Sequence, residues 1–272
     1  MKCAWKELLD ILPPGLRQQI KPDDLWEIRL RLDRPTELVG AGGSRWLPDR
    51  STREDLRFVV NIASRYSPWT AQTMARGYIT APGGHRIGLG GETVVDKGQV
   101  TGMREVDSLC IRVARDVTGI GAPFRRLSGS VLILGPPGAG KTTLLRDLCR
   151  EISGRETVAV VDERGELFPQ GFDRGKALDV LTLCPKPAGI EMALRTLGPA
   201  TIAVDEISGE ADAAALCRAG WCGVRLLATA HASGPGDLKN RPIYRSLTEN
   251  HLFDHILICR RDKSRPTERI DI

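Results

Sequence analysis

The run Gly135-Pro136-Pro137-Gly138-Ala139-Gly140-Lys141-Thr142 has the spacing G-x-x-x-x-G-K-[ST] and follows an apolar stretch, Ser130-Val131-Leu132-Ile133-Leu134. In such a turn the glycines let backbone N–H groups face a phosphate chain. Lys141 then reaches the β and γ phosphates, and the Thr142 hydroxyl ligates Mg²⁺. Thr143 continues into a segment with helical apolar spacing, so the positive end of a helix dipole faces the same phosphates. These residues call for ATP or GTP, with Mg²⁺, as the bound group.

Phosphoryl transfer to water also needs acids. Thr201-Ile202-Ala203-Val204-Asp205-Glu206 is an apolar run ending in two of them. Asp205 suits the Mg²⁺ shell, and Glu206 suits the orientation or deprotonation of the attacking water. A second run, Val160-Val161-Asp162-Glu163-Arg164-Gly165-Glu166, ends in a similar cluster. It offers Glu163 as another carboxylate for that water and Arg164 as a phosphate contact across an interface. The two glutamates stay open as alternatives for the base. Ala228-Thr229-Ala230-His231-Ala232 closes a further run with one histidine, suited to sensing the γ-phosphate or ordering the water. Charge on the transferred group is commonly met by an arginine, for which Arg112, Arg115 and Arg104 are candidates among sixteen in residues 1–128.

Positioning these residues requires strands that end together. From Gly129 onward, strand-like runs (157–161, 180–183, 201–204, 224–229 and 255–259) alternate with helical spacing, the pattern of a parallel sheet covered by helices. Ligands in such sheets collect at the carboxyl ends of strands. Before it, Leu25-Trp26-Glu27-Ile28-Arg29-Leu30-Arg31-Leu32 alternates as a half-exposed strand, with Arg29 and Arg31 outward. Short partners follow at 37–40 and 45–47, and Ser51-Thr52-Arg53-Glu54 is a capping box opening a helix to about Tyr66. Two hairpins are expected, 77–80 with 85–89 and 93–95 with 99–101, then a strand at 108–113. The glycine-rich stretch Thr118-Gly119-Ile120-Gly121-Ala122-Pro123 suggests a flexible joint. The expected organisation is an N-terminal α+β domain over 1–118 and an α/β nucleotide-binding domain over 119–272. Trp26, Trp46, Trp69 and Trp221 are expected to anchor the core.

Composition narrows the class. The chain has 272 residues and a net charge of +5; residues 1–128 hold 20 Lys and Arg against 15 Asp and Glu, and the remainder 19 against 19. The basic excess thus lies outside the nucleotide motif, without the aromatic-interleaved basic run of a nucleic-acid platform. Charges interrupt the first ten residues, and no apolar run approaches a membrane span, which implies neither a signal peptide nor a spanning helix. Seven cysteines without a C-x-x-C pair fit neither a disulfide framework nor a zinc site, and suit a reduced cytoplasmic protein with thiols in apolar surroundings.

Three further segments carry a family resemblance: 27–35 (Glu27 to Pro35), 77–89 (Gly77-Tyr78-Ile79-Thr80 through Gly83-Gly84-His85-Arg86-Ile87-Gly88-Leu89) and 109–115. With the phosphate loop, Val161-Asp162-Glu163-Arg164 and Ala230-His231-Ala232, nearly the whole chain resembles the stage III sporulation protein AA family of endospore-forming bacteria. That family is similar to the hexameric ATPases of type II and type IV secretion, which pair an N-terminal α+β domain with a RecA-like P-loop core. The resemblance implies a homo-hexameric ATPase in the mother-cell cytoplasm, peripheral at a membrane and working with membrane proteins of a channel complex that joins mother cell and forespore. Asp162-Glu163 would correspond to the acidic box of those enzymes and His231 to their histidine box. Pro185-Lys186-Pro187-Ala188-Gly189-Ile190 departs from the pattern, where more methionine and charge are expected. Two other readings compete: a nucleic-acid-dependent motor, disfavoured by the missing stacking platform, and a nucleotide-gated ring that hydrolyses little.

Overall fold

A computed structural model describes residues 2–21, 25–40, 42–64, 74–75, 77–169, 171–262 and 267–272. Two compact units emerge: Met1–Asp116 with Pro169–Phe172, and Val117–Phe168 with Asp173–Ile272. Nothing in the sequence pattern signals the four-residue return to the first unit.

The first unit begins with β1 (Lys2–Cys3), α1 (Trp5–Ile11) and α2 (Pro14–Arg17), the last starting on a proline whose missing N–H costs nothing at a helix start. Charge-apolar alternation then produces β2 (Leu25–Arg31), which buries Leu25, Ile28 and Leu30 and turns Arg29 and Arg31 outward. After β3 (Pro35–Gly40) and β4 (Gly43–Arg50) comes α3 (Arg53–Ser64). Its cap is set one residue later than the sequence suggests: Thr52 Oγ1 accepts the Asp55 N–H at 3.2 Å and Asp55 Oδ2 accepts the Thr52 N–H at 2.8 Å. Ser51 is instead bound to Thr36, hydroxyl to hydroxyl, at 2.8 Å.

The two expected hairpins and the strand at 108–113 merge into long elements. After β5 (Tyr78–Thr80), β6 (Arg86–Asp96) and β7 (Gln99–Arg112) pair along their whole length, and β8 (Arg115–Asp116) pairs with β1. Gly90-Gly91 breaks the alternation in the sequence, but register shifts at Gly90/Gly91, Glu92/Thr93 and Val94/Val95 absorb the break as bulges. The antiparallel sheet has the order β4-β3-β2-β7-β6-β5, and α1 and α3 share the core on its apolar face. The exposure of the tryptophans overturns the expectation that they anchor the core. Trp26 is 49% and Trp46 56% exposed, and Trp46 lies under the Arg31 guanidinium at 6.0 Å. Trp221, in the second unit, is 68% exposed, and Trp69 lies outside the described residues.

The second unit is the expected α/β layer structure. Its strands are β9 (Val131–Leu134), β10 (Val158–Asp162), β11 (Leu178–Thr182), β12 (Thr201–Val204), β13 (Arg225–Ala230), β14 (His255–Ile258) and β15 (Glu268–Asp271). They run β11-β10-β12-β13-β9-β14-β15, parallel except for the antiparallel edge strand β15. Helices α4 (Lys141–Ile152), α5 (Lys186–Thr196), α6 (Glu210–Trp221), α7 (Pro235–Asn240) and α8 (Pro242–Glu249) complete it. β9, β12 and β14 are buried throughout, as strands covered on both faces must be. Cys149 and Cys217 are buried small hydrophobes whose thiols burial pushes up. Among the described residues no helix is long and apolar enough to cross a membrane.

One expectation about the joint changes. Gly121 donates its N–H to Asp147 Oδ2 at 2.7 Å, and a Cβ at Gly121 would stand 2.7 Å from the Leu148 backbone nitrogen. That end of the joint is therefore pinned to α4, and the freedom left belongs to Gly119, at φ +88 with open space around it.

Candidate nucleotide site

Strand β9 runs straight into the phosphate loop. Gly140 takes the left-handed conformation (φ 90, ψ 19) immediately before α4, a conformation that any side chain would strain. Lys141 starts the helix and is buried; its Nζ donates to the carbonyls of Gly135 at 2.9 Å and Pro136 at 3.1 Å. Burial holds the Lys141 ammonium below its ordinary value, against the opposing pull of Asp205 and Glu206. Pro136, Pro137 and Gly138 are exposed at the loop tip, Ala139 is buried, and Thr142 and Thr143 are half-buried in the first turn of α4.

Strand order explains what faces this loop. β13 is inserted between β9 and β12, so its C-terminal end stands between the loop and the Asp205-Glu206 pair. Thr229, fully buried on β13, donates to Asp205 Oδ1 at 2.7 Å, while the Thr142 hydroxyl donates to Asp205 Oδ2 at 2.8 Å. Thr229 Oγ1 also accepts the Glu206 N–H at 2.7 Å, and the Thr229 carbonyl accepts the Ile207 N–H at 2.8 Å. These bonds hold Glu206 at φ +52, a left-handed conformation that costs a non-glycine residue on the order of 1 kcal/mol or more. The turn aims the Glu206 carboxylate at Arg164 Nη1 (3.3 Å) and His231 Nε2 (3.3 Å). An ammonium is only a donor, so His231 Nδ1 accepts from Lys141 Nζ at 3.1 Å and Nε2 is the N–H that faces Glu206. A continuous chain Lys141–His231–Glu206–Arg164 results.

The other acidic strand end is employed differently. Asp162 is buried and its oxygens accept the N–H groups of Glu166 (2.9 Å), Leu167 (2.8 Å) and Phe168 (3.2 Å), so it shapes its own turn. Burial raises its carboxyl above the ordinary range, and the three N–H bonds pull in the opposite direction. Arg146 on α4 fastens the same turn, donating to the carbonyls of Leu167 and Glu166. Glu163 receives Lys186 Nζ at 2.5 Å. Both acidic pairs nevertheless line one small cleft of about 20 Å³, with Asp162, Glu163, Asp205 and Glu206 in its wall.

Within the second unit the structure thus unites the loop, Asp205, Glu206, Glu163 and His231. The arginines belong to the first unit, where Arg112 Nε lies 3.7 Å from Glu27 Oε1, Arg104 pairs with Glu92 at 2.8 Å, and Arg115 donates to the Leu25 carbonyl at 2.8 Å. Thr229 and Arg146 escape sequence reading. A threonine inside the apolar run Leu226-Leu227-Ala228-Thr229-Ala230 is a faint signal, because a hydroxyl on a doubly covered strand must find a polar partner.

Mg²⁺ fits these donors. One hydroxyl and one carboxylate already converge on each other, and the ion ordinarily takes few protein ligands and completes its shell with phosphate oxygens and water. The model of the family described as "Sporulation stage III, protein AA" matches residues 7–270. Stage III sporulation protein AA of Bacillus subtilis (strain 168) is 36% identical over 94% of this chain and 91% of its own length. The protein SEEDLING PLASTID DEVELOPMENT 1 of Arabidopsis thaliana is 29% identical over 82% of this chain, which spans 33% of it. Among solved structures, the Legionella pneumophila ATPase DotB superposes with a TM-score of 0.59 at 18% identity, covering 86% of this chain and 72% of DotB. The pilus retraction motor PilT with bound ADP gives 0.61 at 14% identity, covering 86% and 74%. At such identities the likeness is one of fold: a P-loop NTPase core with an N-terminal domain.

Proposed function

The chain belongs to the stage III sporulation protein AA family, and from that premise we propose that it is a Mg²⁺-dependent ATPase serving a membrane-bound channel complex of the sporulating cell. The observation that carries the reading is the bonded series Thr142–Asp205–Thr229–Glu206, which ties the phosphate loop to a carboxylate beyond the metal shell. The loop N–H groups and Lys141 would bind the phosphates, and Thr142 and Asp205 would hold Mg²⁺. The ion would supply charge neutralisation on the bound phosphates. Glu206 orients the attacking water and accepts its proton, in a conformation fixed by Thr229. His231 links Lys141 to Glu206, so a phosphate that draws Lys141 away alters what Glu206 meets. Arg112, with its side chain 66% exposed, is the proposed cation for the transferred group, supplied by the same or a neighbouring copy.

The remaining proposals follow from the family premise. The working form is a homo-hexamer, its partners are membrane proteins of the same complex, and it lies in the cytoplasm at the inner face of a membrane. The deciding experiment is ATP turnover with Lys141→Ala as background. Lys141→Ala should lose nucleotide binding or turnover, while Glu206→Gln should keep binding and lose roughly 10²-fold or more in rate. A fully active Glu206→Gln chain refutes the assignment. Stimulation by single-stranded DNA at fixed salt would redirect the reading to a nucleic-acid motor.

A further inference from the structure

Lys186 is a cation where cations are disfavoured. It opens α5, at the positive end of the helix dipole, and its side chain is 4% exposed. Burial of an ammonium is costly unless carboxylates meet it. Lys186 Nζ donates to Glu163 Oε2 at 2.5 Å and to Ser208 Oγ at 3.5 Å, and lies 3.4 Å from Asp212 Oδ2. These partners come from three places: the end of β10, the turn that follows Glu206, and the first turn of α6. Asp212 further accepts the N–H and the hydroxyl of Ser208, each at 3.0 Å.

The approach of α5 to β10 has its own structural cause. Gly189, one turn after Lys186, packs so closely that a Cβ there would stand 2.5 Å from Val161 Cγ1 and 2.8 Å from Cys184 Sγ. A side chain there would force Val161, Cys184 or the helix to shift.

We propose that Lys186 is a positioning residue of the nucleotide site: it fixes the Glu163 carboxylate on the rim of the cleft shared with Asp205 and Glu206, and ties that rim to the turn after Glu206. The inference rests on the ATPase reading and adds a residue to it. A purely structural pin would move stability alone. A positioning residue moves the rate constant through Glu163.

The test compares ATP turnover, affinity for a fluorescent ATP analogue and amide exchange over residues 163–168 in the unmodified chain, Lys186→Met, Lys186→Arg, Glu163→Gln and the Lys186→Met/Glu163→Gln double variant. Lys186→Met should lower kcat roughly 10- to 100-fold with nucleotide affinity kept within about twofold, and speed exchange over 163–168. Lys186→Arg should restore most of the rate, and the double variant should be no slower than Glu163→Gln, because Lys186 acts through that carboxylate. Full turnover in Lys186→Met, multiplying losses in the double variant, or unchanged exchange each overturn the proposal. If every chain binds nucleotide through Lys141 but none turns it over, the ATPase reading falls. Exchange over 163–168 then still decides whether Lys186 holds the rim. Should Lys186→Met not fold, Lys186→Gln keeps a donor without the charge and carries the same comparison.

Discussion

Strands β10 and β12 end in the same tripeptide, Val161-Asp162-Glu163 and Val204-Asp205-Glu206, and open into the same cleft, yet their acids do opposite work. Asp162 spends its lone pairs on three N–H groups of its own turn, whereas Asp205 is held by two hydroxyls brought from elsewhere, Thr142 on α4 and Thr229 on β13. The glutamates differ as well. Glu163 meets a buried lysine at 2.5 Å, and Glu206, turned by its left-handed backbone, meets Arg164 and His231 at 3.3 Å. A strand end acquires its chemistry from what neighbouring elements deliver to it. Asp205 accepts two hydrogen bonds, one on each oxygen, and Asp162 accepts three.

The largest effect that would break this contrast is at Asp205. Asp205→Asn should cut turnover roughly 10³-fold, about 4 kcal/mol of barrier, with little change in melting temperature. Steady-state rates within about tenfold of the unmodified chain would erase the distinction. Asp162→Asn should show the reverse signature: about 2 kcal/mol of stability lost in denaturant melts, since an amide NH₂ then faces a backbone N–H, with at most about tenfold lost in rate. Thr229→Val sharpens the comparison by removing one of the two hydroxyls, for roughly a tenfold loss in kcat, or about 1.4 kcal/mol. A loss as large as that of Asp205→Asn would mean that Thr229 does more than orient its neighbour.

The smallest effect extends the contrast to the first unit, where His85 is committed to backbone as Asp162 is. Its Nε2 donates to the Ala4 carbonyl at 2.9 Å, its Nδ1 accepts the Ala114 N–H at 3.1 Å, and burial holds its imidazole below the ordinary value. The unfolded chain takes a proton near pH ~6.5 while the folded one does not. Stability is therefore complete above about pH 6.5 and falls as pH drops below it. His85→Gln should flatten that slope in pH-resolved melts; an unchanged slope would assign the dependence to another group.

Legibility in the sequence tracked locality. The phosphate loop is contiguous, so Gly135 through Thr142 could be read directly, and the parallel-sheet pattern of the second half followed from its buried apolar runs. Strand order is not local. Only the insertion of β13 between β9 and β12 shows why Thr229 rather than a nearer residue holds Asp205. Lys186 was invisible as a site residue because its partners lie at 163, 208 and 212. The tryptophans misled for a related reason: residue size suggests burial, but Trp26 and Trp46 are exposed on the first unit's sheet. Bulges let β6 and β7 run past the glycines that seemed to end them.

The return of Pro169–Phe172 to the first unit means that its residues are not all contiguous in the chain. Gly84 leaves the space that Pro169 fills, a Cβ there standing 2.3 Å from the proline Cβ. A nascent chain released only to Asp116 carries the whole six-stranded sheet but not the residue that closes over Gly84. The first unit thus includes residues encoded after the phosphate loop and the first acidic strand.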